Sequence, residues 1–180
     1  MGPDPGVKTP QPRPKIFISL LAIYDVRRIL AVLGRKEAAT HLTLADHEAS
    51  ALARLAVVEP EFYEPLLADA LADLGWWHGE LADLPNAIAA GERAAEAFRR
   101  LDAVDADTYR CKYVGSLNNL ASYLQDAGSL QTALGIAVEA VELHHAHLER
   151  KPADHTASCT LIEETLAEIR TAVDACATDS

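Results

Sequence analysis

The apolar residues of this chain recur at intervals of three and four, which is the period of an α-helix. Leu67, Leu71 and Leu74 share one predicted helical face, and Leu117 and Leu120 share another further along the chain. Glycine, proline and helix-capping residues interrupt the pattern. The pattern therefore predicts an all-α protein with helices at about residues 15–34, 36–57, 61–79, 84–103, 106–127, 129–150 and 154–177.

The predicted turns are short and carry recognisable boundary residues. Gly128 followed by Ser129 is typical of a helix end and the next N-cap, and Asp83 with Pro85 is typical of a helix start. Short links of about two to six residues make neighbouring helices antiparallel. The chain is therefore expected to form a series of helical hairpins.

The helical pattern repeats along the chain. A shift of 46 residues places leucine on leucine and small residue on small residue. The matched pairs include Leu71 and Leu117, Leu74 and Leu120, Gly75 and Ala121, Ala87 and Ala133, and Ala94 and Ala140. Small residues let two helices approach closely, and a fixed period favours a row of stacked hairpins over a closed bundle.

Two segments of the chain resemble tetratricopeptide repeats. They are LADLGWWHGELADLPNAIAAGERA and LNNLASYLQDAGSLQTALGIAVEA, and SLNNLASYLQDAG is similar to the longer repeats of kinesin-light-chain type. The resemblance covers residues 61–150, extends to 154–177 as a terminal helix, and is weak over 15–58. It implies a right-handed α-solenoid of antiparallel helix pairs, with about three hairpins and a C-terminal capping helix. Residues 15–180 would form this single domain after a flexible, proline-rich segment at 1–14.

The resemblance also implies a concave groove that holds a protein or peptide. Asn119 stands where groove asparagines of this family bind the backbone of a ligand, and Asp73 stands near a position that is basic in members that clamp a carboxylate. Trp76 and Trp77 point about 100° apart on a helix, so one is expected to pack between repeats and the other to be freer. The residues implied to line the groove are Asp25, Arg28, Asp69, Asp73, Trp76, Trp77, Asn119 and Ser122.

The charge of the chain narrows the choice of partner. Sixteen basic residues face 27 acidic ones, giving a net charge of −11. A protein that grips nucleic acid or an anionic membrane needs clustered Lys and Arg, so neither is an expected partner. An acidic groove would favour a protein or peptide of basic or apolar character. The three scattered cysteines fit reduced thiols in a cytoplasmic protein.

No sequence motif for catalysis or for a cofactor is found. Glu142 and His145 have the ExxH spacing of di-iron helical bundles, but the chain has no second ExxH. The cluster His144, His145 and His147 is instead interpreted as a polar helix face, so no metal and no catalytic residue is assigned. A small all-α enzyme or metal-binding protein of a biosynthetic pathway is the alternative to the binding module.

The apolar run at residues 16–24 is interpreted as a core helix. Charged residues interrupt the run at its end, and it has about half the length of a membrane span. Ile16, Phe17, Leu20 and Leu21 make this helix a candidate surface for a homodimer, because repeat arrays often associate through an uncapped end.

Overall fold

The computed structural model describes residues 35–151 and 157–178, all within one compact unit. These residues form α-helices and no β-strand: α1 (Arg35–Ala56), α2 (Pro60–Glu80), α3 (Leu84–Val104), α4 (Ala106–Asp126), α5 (Leu130–Arg150) and α6 (Ala157–Thr178). The all-α prediction is confirmed, and α2 to α5 each begin within one residue of the predicted position. The predicted helix at 15–34 and the flexible segment at 1–14 lie outside the described residues.

Helices that follow one another in the chain are also neighbours in space. Each described helix lies against the next one, as an α-solenoid requires. In addition α2 contacts α4, and α4 contacts α6. Within the described part of the chain, α1, α3 and α5 make no such contacts with one another. The even-numbered helices α2, α4 and α6 therefore lie closer to one another and form the inner layer. The odd-numbered helices form the outer layer.

The residues matched by the 46-residue period are the core. Ala87, Ala133 and Ala140 are fully buried, and Ala94 is nearly so. At Gly75 a Cβ atom would lie 3.3 Å from the backbone nitrogen of Gly91, so the backbones of α2 and α3 nearly touch there. The small residues thus act as the repeat predicted, by allowing the helices of a hairpin to pack closely.

The described helices begin close to the predicted positions, but neither predicted N-cap side chain acts as a cap, because Asp83 and Ser129 make no hydrogen bond to a backbone N–H of their helices. The Asp83 carboxylate accepts hydrogen bonds from Asn86 (2.8 Å) and lies 3.0 Å from Nδ1 of His78, and it caps no backbone N–H. Asp105, which the sequence did not single out, does cap its helix, because its side chain accepts from the backbone N–H of Thr108 at 3.1 Å.

Ion pairs join the helices at one end of the hairpins. Arg110 of α4 donates two hydrogen bonds, of 2.7 and 2.8 Å, to the carboxylate of Asp102 in α3. Arg100 of α3 donates to Glu64 of α2 at 2.7 Å.

None of the described helices combines the length and the apolar character that a membrane span needs.

Candidate functional site

The inner layer carries the predicted groove residues that the structure describes. Asp69 of α2 is bonded to Lys112 of α4, whose ammonium lies 2.7 Å from each carboxylate oxygen. The same ammonium lies 5.8 Å from the centre of the Phe98 ring. This ion pair bridges two neighbouring inner helices, which are one repeat apart. Asp69 is therefore partly neutralised by Lys112, a residue that the sequence did not single out.

Asp73 lies one helical turn from Asp69 and has a different environment. Its residue is exposed, and its carboxylate has no hydrogen bond or ion pair within the described part of the chain. Surrounding protein nevertheless desolvates the carboxylate, and the negative charges of Asp69 and Glu48 add to this effect, with Lys112 opposing it. Together these raise the pKa of Asp73 from 3.8 to about 6. Asp73 is thus an unpaired acid in an acidic neighbourhood.

Asn119 occupies on α4 the position that Asp73 occupies on α2. The two residues are related by the 46-residue period. Asn119 is half-buried, and within the described residues its amide makes no hydrogen bond, so both its donor and its acceptor are available to a ligand. Ser122 lies one turn further and donates to the carbonyl oxygen of Asn118 at 3.1 Å.

The two adjacent tryptophans both take part in helix packing. Trp76 is only 8% exposed, so it presents little of its ring to a ligand in this arrangement. Trp77 is half-buried and stacks on the imidazole of His41 in α1, with ring centres 4.8 Å apart and planes within 4° of parallel. Trp77 is the more exposed of the two, although its ring packs against α1. Asp25 and Arg28 lie outside the described residues.

Two buried polar atoms of the inner helices lack partners. The indole N–H of Trp76 and the side-chain oxygen of Asn118 make no hydrogen bond within the described residues. An unsatisfied buried donor or acceptor costs about 1–3 kcal/mol. Both atoms belong to helices that carry predicted groove residues.

The histidine cluster of α5 does not form the polar face that the sequence suggested. His145 is exposed and lies 2.9 Å from Glu163 of α6, but His144 and His147 are buried. The correction has a simple reason, since both continue the buried stripe of α5 at a spacing of three and four, after Ala133, Ala137 and Ala140. In the part of the chain that the structure describes, no three metal-ligating side chains come together.

Other polar contacts between helices are structural in character. The hydroxyl of buried Tyr113 donates to Glu139 of α5 at 2.8 Å. Burial, followed by this hydrogen bond and the charge of Glu139, raises the pKa of Tyr113. The hydrogen bond joins α4 to α5 at a partly buried position, and the raised pKa leaves the tyrosine neutral at physiological pH.

Comparison with known proteins supports the fold. No protein-family model matches the chain, and no curated protein matches it. A similar solved structure is the crystal structure of BtubC (BKLC) from P. vanneervenii, a bacterial kinesin-light-chain-like tetratricopeptide-repeat protein. The TM-score is 0.56 at 15% sequence identity, over 76% of this chain and 50% of BtubC. This chain therefore spans about half the length of BtubC, and the likeness shows a tetratricopeptide-like helical repeat fold.

Proposed function

We propose that this protein is a tetratricopeptide-like interaction module that binds a protein or an extended peptide along its inner helices. It would serve as an adaptor, a scaffold or a regulatory subunit in the cytoplasm. The observation that carries the proposal is that Asp73 and Asn119 lie at equivalent positions of two neighbouring inner helices, and that neither side chain has a hydrogen-bonding partner among the described residues.

The chemistry of the two residues gives them separate roles. The amide of Asn119 can donate to a backbone carbonyl and accept from a backbone N–H, which suits an extended peptide of any sequence. Asp73 would accept a Lys or Arg side chain of the ligand, and a cation there would relieve the repulsion from Asp69 and Glu48. A basic peptide is therefore the preferred ligand, and the net charge of −11 would speed its approach.

The ion pair between Asp69 and Lys112 would determine which carboxylate of this site can bind the ligand. It holds α2 and α4 in register and occupies one of the two inner carboxylates, which leaves Asp73 as the anionic contact. Trp76 and Trp77 would act indirectly, by packing α2 against its neighbours.

Selection from a random peptide library displayed on phage tests the proposal. The selected peptides should be enriched in Lys and Arg, and their affinity should fall about tenfold or more in Asp73→Asn and in Asn119→Ala. Glu92→Gln, an exposed acid on outer helix α3, is the matched control and should bind normally. Failure of the folded protein to enrich any peptide would overturn the proposal.

The proposed homodimer surface at Ile16, Phe17, Leu20 and Leu21 is tested separately, because it lies outside the described residues. Size-exclusion chromatography with light scattering gives the mass of the protein in solution. A monomeric mass at micromolar concentration would remove the homodimer and leave the peptide-binding proposal intact.

A further inference from the structure

A cysteine and a buried histidine meet between α4 and α5, away from the proposed groove residues. The sulfur of Cys111 lies 3.6 Å from Nε2 of His147, which is within hydrogen-bonding distance for sulfur. Cys111 is exposed, whereas His147 is only 3% exposed. The imidazole is therefore held in place by packing while the thiol remains accessible to a reagent.

Charged side chains flank Cys111 on α4 and are paired with residues outside that helix. One turn away, Asp107 of α4 is bonded to both Arg150 and Lys151, each at 3.1 Å, so two cations share one carboxylate. Arg110 lies next to Cys111 and is balanced by Asp102, and Lys112 is balanced by Asp69. His144 lies one turn along α5 from His147.

We propose that Cys111 is a reactive thiol, activated by His147, that exchanges with small disulfides to form a mixed disulfide on the protein surface. The arrangement meets two requirements of such a site, which are access to the sulfur and an imidazole within hydrogen-bonding distance that can take the thiol proton. It goes beyond peptide binding and does not depend on it.

The exchange is balanced without any further reactant. The thiol proton of Cys111 passes to Nε2 of His147, and the thiolate attacks one sulfur of the small disulfide. The S–S bond breaks, its electron pair leaves with the departing thiolate, and that thiolate takes the proton back from the imidazolium. The products are the mixed disulfide at Cys111 and one small thiol.

Single-thiol variants of the full chain test the proposal. One carries Cys159→Ser and Cys176→Ser and retains Cys111; the other carries Cys111→Ser and Cys159→Ser and retains Cys176, which is also exposed. The probe is dithiodipyridine, a neutral aromatic disulfide whose released thiol is coloured. At pH 6 we expect Cys111 to react about tenfold faster than Cys176, because its larger thiolate fraction outweighs its lower intrinsic nucleophilicity.

The role of His147 is tested in the Cys111-only background. His147→Gln should reduce the rate about tenfold at pH 6, while His145→Gln, an exposed neighbour paired with Glu163, should leave it unchanged. Incubation with oxidised glutathione should give one mixed disulfide by intact mass. Equal rates for Cys111 and Cys176 in folded protein would overturn the proposal.

A second measurement tests activation by His147 if the His147→Gln variant fails to fold. The pH profile of the Cys111-only protein with His147 intact should then rise at lower pH than that of Cys176. Coincident profiles for the two thiols would contradict activation by His147.

Discussion

Ala82 and Gly128 occupy the same position in the two repeats, and both adopt a left-handed backbone. They lie 46 residues apart, each in the turn of a hairpin, with φ of 58° at Ala82 and 77° at Gly128. Within the described residues, Ala82 is the one non-glycine residue with positive φ. The turn geometry is therefore set by the hairpin, and the second repeat uses the residue that this geometry favours.

Single substitutions at Ala82 and at Gly128 are expected to change the free energy of unfolding in opposite directions. Ala82→Gly should stabilise the protein by about 0.5–1 kcal/mol, because a left-handed conformation strains an alanine. Gly128→Ala should destabilise it by about 1 kcal/mol for the same reason. Urea denaturation followed by circular dichroism measures both. Changes of the same sign would show that the turn conformation does not control stability.

The approach of Gly79 to Tyr123 makes a second prediction. A Cβ atom at Gly79 would lie 2.9 Å from Cε1 of the buried Tyr123 ring, whereas one at Gly135 would meet nothing within 4 Å. Gly79→Ala should therefore destabilise the protein by about 1–2 kcal/mol through overpacking. Gly135→Ala, the matched control, should stabilise it by about 0.5–1 kcal/mol through helix propensity. Thermal unfolding compares them, and a stabilising Gly79→Ala would disprove the close contact.

The ion pair between Asp102 and Arg110 should matter more than those on the surface. Its two side chains are 9% and 18% exposed, so Asp102→Ala would leave a largely buried guanidinium without its carboxylate. We expect a loss of about 2 kcal/mol. Glu96→Ala breaks an exposed pair with Arg99 and should have a much smaller effect. Equal losses in chemical denaturation would refute this difference.

The raised pKa of Asp73 predicts a pH dependence of stability. The folded protein binds this proton more tightly than the unfolded chain does, since the pKa is about 6 rather than 3.8. Stability should therefore fall as pH rises through this interval and stay lower above it. Because solvent screens an exposed carboxylate, we expect Asp73→Asn to stabilise the protein by at most about 1 kcal/mol at pH 7.5.

The same substitution should have no effect on stability at low pH. At pH 3.5, where Asp73 is largely protonated in both states, the two proteins should unfold at nearly the same urea concentration. A constant difference between pH 3.5 and pH 7.5 would mean that charge is not the cause.

The sequence was sufficient to predict the repeat because its signals are local. Helix periodicity, the turn residues and the spacing from Leu74 to Leu120 depend on one hairpin at a time. These signals placed the described helices close to their positions in the structure. The alanine stripe of α5 also offered a signal for the burial of His144 and His147, which was missed because histidine was treated as polar.

The contacts between helices could not be predicted in the same way. The bond from Lys112 to Asp69 depends on how α2 and α4 are offset, and two exposed side chains leave no pattern that fixes this offset. The meeting of Cys111 with His147 depends on the rotation of α4 against α5. Both contacts join residues at least 36 positions apart, so they follow from tertiary packing and not from local sequence.

Backbone NMR of the labelled protein, titrated with a selected basic peptide, shows whether the ligand binds along the inner helices. We expect the largest changes in chemical shift at Asp69, Asp73, Asn119 and Ser122 of inner helices α2 and α4. We also expect Asp73→Asn to weaken the binding. Shifts confined to outer helices α3 and α5, or saturable binding that Asp73→Asn and Asn119→Ala leave unchanged, would contradict the proposed function.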